Sequence, residues 1–129
     1  MKLYNEIYNE IQNTIKTLGI ASGIVGRTYI SSAVMLAIRQ PWRIQAVTKY
    51  LYPELAKLYN VTWSRIERNI RYGINTAWNR EKSGMHKILG FRPTSRELIV
   101  YIADTTMQKF PGYMKKYAQI VKPTDETTA

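Results

Sequence analysis

Between Thr62 and Lys82 the chain carries two faces that cannot share one environment. On a helical wheel of about 100° per residue, Ile66, Ile70, Gly73, Ile74 and Ala77 gather in one stripe. Ser64, Arg65, Arg68, Arg71, Tyr72 and Asn75 take the opposite half, with Glu67 on its edge. A segment of this kind is satisfied only as a helix with one side against a core and the other in water. The same spacing governs most of the chain, and no run alternates polar and apolar residues as a strand requires. The expected fold class is therefore all-α, a compact bundle of about six helices.

The punctuation of those helices is legible residue by residue. Leu3, Ile7, Ile11 and Ile15 predict a first helix ending before Gly19. LGIASGIVGR, with Gly19, Gly23 and Gly26, matches no phosphate-binding fingerprint and reads as a connection. A second helix is predicted from about Thr28 to Arg39, stopped by Gln40-Pro41, and a short third from Trp42 to about Leu51. Pro53 opens a fourth, PELAKLY, which ends at Asn60. Thr62 caps a fifth running to about Lys82. Thr94 and Glu97 have the spacing of a capping box before LIVYIA, the start of a last long helix. One helical domain over residues 1–110 is expected, with 111–129 a partly disordered tail.

Charge narrows the function. The net charge is +10, and all of the excess lies from Arg27 to Arg96, where thirteen basic residues face three acidic ones, Glu54, Glu67 and Glu81. A positive field concentrated in this way attracts polyanions, nucleic acid above all, through release of condensed counterions. The chain has no cysteine, which excludes disulfides, thiolate metal sites and cysteine nucleophiles. His86, the one histidine, has no acidic neighbour in sequence and reads as a surface or helix-end residue. Glu97 and Asp104, seven apart, read as capping and pairing groups rather than a hydrolytic pair. No enzyme, metal site or cofactor is expected. With no apolar run of membrane-spanning length and glutamates in MKLYNEIYNEIQ, a cytoplasmic protein with no membrane partner is expected.

The segment LYPELAKLYNVTWSRIERNIRYGINTAW, Leu51 to Trp78, carries the functional signal. Leu55 and Tyr59 face inward, Ala56 allows a second helix to cross closely, Asn60 takes the turn position where glycine is usual, and Val61 fills the corner. This is a helix-turn-helix at about 53–82. Asn69 departs from the simplest template, and Ile70 supplies the apolar side chain one position later. Arginine pairs bidentately with guanine and glutamate accepts from cytosine, so arginines beside one acid suit base reading in double-stranded DNA. The plainer reading is a solvated face with a Glu67–Arg71 pair, worth only about 0.2–0.5 kcal/mol. Trp63, at the start of the helix, either packs inward or approaches the DNA backbone.

The strings TKYLYPELAKLYN, SRIERNIR, TAW and RPTSRELIVYIAD resemble the carboxy-terminal DNA-binding effector domain of the stage-zero sporulation master response regulator of endospore-forming Firmicutes, over about Tyr8 to Met107. The resemblance implies operator binding, often as head-to-tail copies. It places Arg65, Glu67 and Arg68 at base edges and Arg71 at bases or phosphate. Thr62, Ser64, Lys57, Tyr72, Arg80 and Lys82 are expected at the DNA backbone. RNA polymerase and a homodimer are further expected partners. Tyr72 stands where the family often has histidine, and Gln40-Pro41-Trp42-Arg43 replaces a more acidic loop. The family joins this domain to a receiver for which 129 residues leave no room, so phosphorylation control is not expected. The alternative function is a protein-interaction or antagonist module that holds a partner regulator and binds DNA only weakly.

Overall fold

Helix α2 (Val25–Arg39) is apolar around most of its circumference, and the other helices are arranged about it. The computed structural model describes residues 2–113. In chain order the α-helices are α1 (Lys2–Thr17), α2, α3 (Tyr52–Tyr59), α4 (Trp63–Asn79) and α5 (Ser95–Met107), and no strand occurs among the described residues. The expected all-α bundle is what forms. Of the expected tail, 111–129, only 111–113 fall within the described residues.

Local chemistry sets most of the ends. α1 stops because Gly19 adopts φ 87°, which lets its N–H reach the Lys16 carbonyl and the Ile20 N–H reach Ile15. α5 starts at the expected capping box: Thr94 Oγ1 accepts from the Glu97 N–H at 3.1 Å, and Glu97 Oε1 accepts from the Thr94 N–H at 2.9 Å. Ile7, Ile11 and Ile15 of α1 are buried as their spacing predicts, whereas Leu3 at the first turn is exposed.

Three expectations about helix bounds are corrected by the structure. The helix expected over Trp42–Leu51 is instead a 3-10 turn (Pro41–Ala46) followed by a π-helical turn (Val47–Leu51), broken at Ala46 with φ −150° and ψ 90°. Arg43 explains the break. Its guanidinium donates to Gln40 Oε1 and to the Tyr50 carbonyl, and lies 4.4 Å from the Trp42 ring centroid, so one side chain spans both turns. α2 begins at Val25 rather than near Thr28, which takes Gly26 out of the connection and into the first helical turn. α4 ends at Asn79 rather than Lys82. Arg80 is extended and Lys82 has φ 64°, and a π-helical turn (Met85–Leu89) with fully buried Met85 follows.

Gly26 fixes how α2 and α4 cross. A Cβ at this position would collide with the main-chain carbonyl of Asn69, so the two backbones touch where any side chain would hold them apart. Beyond that contact Ile66, Ile70 and Ile74 of α4 are buried to 2% exposure or less. Each contributes about 2 kcal/mol of apolar burial. Gly26→Ala is expected to lower unfolding free energy by about 1–3 kcal/mol, because the helices must separate to admit one methyl group. A urea titration followed by circular dichroism measures the loss.

Candidate nucleic-acid interface

The turn between α3 and α4 is built from three consecutive residues. Asn60 is left-handed at φ 55° and ψ 50°, and its N–H reaches Lys57 while that of Val61 reaches Ala56 at 3.0 Å. This closes the end of α3 in the pattern a glycine usually provides. Val61 is half-buried in the corner. Thr62 is extended and its Oγ1 accepts from the Arg65 N–H at 3.2 Å, starting α4 one residue later. The inner side of α3 is as expected: Leu55 is buried, and Tyr59 packs its ring 5.0 Å from Tyr29 and shares a hydrogen bond with Ser32.

α4 then presents the two faces its sequence demands. Ile66, Ile70, Gly73, Ile74 and Ala77 are all buried. Asn69, the departure from the simple template, sits at the crossing with Gly26 and turns its amide back on its own helix, 2.8 Å from the Arg65 carbonyl. On the other side Ser64, Arg65, Arg68, Arg71 and Tyr72 lie in or toward water, and so does Trp63, which faces outward at 47% exposure. Among the described residues the side chains of Arg65 and Arg68 have no hydrogen bond or ion pair.

Glu67 and Arg71 differ from these two arginines. They form an ion pair one turn apart, with Glu67 the less exposed partner. Glu67 also faces Tyr52, the first residue of α3. Burial pushes the Tyr52 phenol above its usual range, a hydrogen bond with Ser95 of α5 opposes the rise, and the Glu67 carboxylate adds to it. Glu67 therefore lies on the flank of α4 that looks toward α5, paired with Arg71 and lining the same groove as the buried Tyr52.

The other expected contact residues divide into two groups. Thr62, Ser64 and Tyr72 lie on the exposed side of α4 with the arginines. Lys57 is exposed on α3 and stands 4.0 Å from Glu54. Arg80 and Lys82 are not brought to that face. Arg80 lies roughly 22 Å along the chain's helical rise from Arg65, and its guanidinium donates to the Gly19 carbonyl of the α1–α2 connection. Lys82 is past the helix end in a left-handed turn.

Sequence reasoning missed a groove of about 490 Å³ between α4 and α5, lined by Thr48, Tyr52, Glu67, Arg71, Arg92 and Arg96 among others. Arg92 donates to Asn75 Oδ1 of α4 at 3.3 Å, and Arg96 donates to the Ile44 carbonyl at 3.0 Å. The available signal was two arginines four apart on either side of the Thr94 cap. His86, read as a surface or helix-end residue, is half-buried. It stacks on Trp78 with ring centroids 3.7 Å apart and places Nε2 at the Trp78 carbonyl. Among the described residues no three His, Asp or Glu side chains are grouped to hold a metal ion, and no helix is long and apolar enough to cross a membrane.

Residues 11–106 match the family described as sporulation initiation factor Spo0A C terminal. The chain belongs to this family. The match runs from Ile11 in α1 to Thr106 in α5, close to the expected span of Tyr8 to Met107, so the Spo0A C-terminal unit takes in the helix-turn-helix and the groove beside α5 together. Within it, Thr62 sets the register of the arginine-bearing helix. Thr62→Ala is expected to cost about 1 kcal/mol of stability while leaving the folded spectrum unchanged, measured by equilibrium denaturation.

Proposed function

We propose that this protein is a sequence-specific double-stranded DNA-binding transcription factor of the sporulation effector type, with α4 entering the major groove. The observation that carries the reading is the pair Arg65 and Arg68, without partners among the described residues and on the outer face of the second helix of a helix-turn-helix. Guanidinium groups already bound to carboxylates would have to exchange one partner for another. These two meet a base edge at no such cost, and each can bridge guanine O6 and N7. Membership of the Spo0A C-terminal family supports the same assignment.

In this reading Arg65 and Arg68 specify bases. Glu67 accepts from a cytosine amino group once the duplex offers Arg71 a phosphate or guanine in its place. Thr62, Ser64, Tyr72 and Lys57 position α4 on the backbone, and Arg80 and Lys82 act only where the duplex extends past the end of the helix. Adjacent head-to-tail copies on DNA and RNA polymerase are the further partners the reading adds.

A second reading, a protein-interaction or antagonist module, is favoured by one feature. Tyr4, Tyr8, Val25 and Leu58 are exposed around a cavity of about 880 Å³ between α1, α2 and α3. A gel shift at physiological salt with excess competitor DNA separates the two readings, since the antagonist would lose its duplex.

The decisive experiment selects bound duplexes from a random pool and then compares Arg65→Ala and Arg68→Ala on the selected and a random duplex. Each substitution is expected to cost about 1–3 kcal/mol on the selected duplex and to relax preference at one base pair. Equal weakening on both duplexes would contradict base reading.

A further inference from the structure

A helix lying in a major groove about 12 Å wide has a sugar-phosphate wall against each of its flanks. One flank of α4 runs along Glu67, Arg71 and Asn75, and there the α4–α5 groove opens. Arg71, Arg92 and Arg96 line it together with one carboxylate, Glu67, and because Glu67 and Arg71 pair with each other the uncompensated positive charge of the groove is that of Arg92 and Arg96. Thr48, Thr94 and Ser95 add hydroxyl-bearing side chains.

The way Arg92 and Arg96 are held identifies the ligand class. Both are exposed, and each is anchored by one neutral acceptor, the amide oxygen of Asn75 and the main-chain carbonyl of Ile44. Neutral anchors fix a guanidinium in place without cancelling its charge. Each guanidinium has five N–H donors and spends one on its anchor, so several remain for an anion. Asn75 ties this pair to the reading helix itself, because it lies on α4 one turn beyond Arg71.

We infer that a DNA backbone strand passes over the α4–α5 groove and that Arg92 and Arg96 grip its phosphates, holding α4 at a fixed depth and tilt. The inference rests on the proposal that α4 occupies the major groove, and adds a second, sequence-independent contact surface outside the helix-turn-helix. Arg92 and Arg96 are thus positioning residues. They set affinity and orientation, and leave base choice to Arg65 and Arg68.

The test is a salt titration of the full chain on a selected duplex and on a random one, comparing wild type, an Arg92→Gln/Arg96→Gln double variant, the corresponding double lysine variant and Arg68→Ala. Each lost phosphate contact lowers the slope of log K against log salt by about 0.9. The glutamine variant is expected to lose about 1.8 of slope, two contacts' worth, and to weaken on both duplexes by the same factor. The lysine variant should recover the slope, and Arg68→Ala should weaken the selected duplex alone. A glutamine variant that melts like wild type yet keeps the full slope overturns the groove assignment while leaving the α4 reading intact. Absence of duplex binding by wild type overturns both. Phosphate-ethylation interference with the unmodified protein probes the same grip without any variant: ethylation on the strand flanking the contacted bases blocks binding if the groove holds it, and tolerance there refutes the grip.

Discussion

The crossing of α2 and α4 at Gly26 is the contact on which the rest of the structure depends. Main chain meets main chain there, at the Asn69 carbonyl, and this fixes both the separation of the helices and the rotation of α4 about its own axis. With that rotation set, Ile66, Ile70 and Ile74 can only point inward, and the guanidinium groups between them in sequence can only point out. Core packing and the polar face are therefore one geometric fact. A helix free to roll by a third of a turn would bury arginine, at a desolvation cost no surface attraction could recover.

Electrostatics divide the exposed surface into parts with different tasks. Arg65 and Arg68 stand without partners among the described residues, so their charge is available to whatever α4 meets. Glu67 and Arg71 are held together beside the buried phenol of Tyr52, where the carboxylate is less exposed and more constrained. Arg92 and Arg96 are anchored by uncharged acceptors, which fixes geometry and preserves charge. Arg80 is directed to the α1–α2 connection, where it donates to the Gly19 carbonyl. Nineteen basic residues against nine acidic ones give the chain its net positive charge, but these local partners decide which cations keep their charge uncompensated.

What could be read in the sequence was what local chemistry determines. The five buried positions of α4 follow from the 3.6-residue period, and the ends at Asn60, Thr62 and Thr94 follow from residues that bond to their own backbone neighbours. The remainder depended on residues far apart in the chain. Trp42–Leu51 has an adequate helical pattern, but Arg43 reaching the Tyr50 carbonyl stabilises a broken path instead. The turn at Met85 exists because Gly84 fits against the Thr17 carbonyl, a partner no nearby residue announces. Arg92 and Arg96 resembled ordinary surface charge until folding placed Asn75 and Ile44 beside them. Arg80 and Lys82 looked continuous with α4 in the sequence, but the helix ends at Asn79, where Arg80 turns extended and donates to the distant Gly19 carbonyl.

Guanine N7 lies on the major-groove edge and adenine N3 on the minor-groove edge, so methylating each in turn distinguishes the groove that α4 enters. In a methylation-interference assay on a selected duplex, N7-methylated guanines at the specified positions are predicted to abolish binding, with N3-methylated adenines tolerated at those positions. Binding that survives N7 methylation throughout the site but fails on N3 methylation would mean that another element docks in the other groove, and that the outward arginines of α4 do not read DNA.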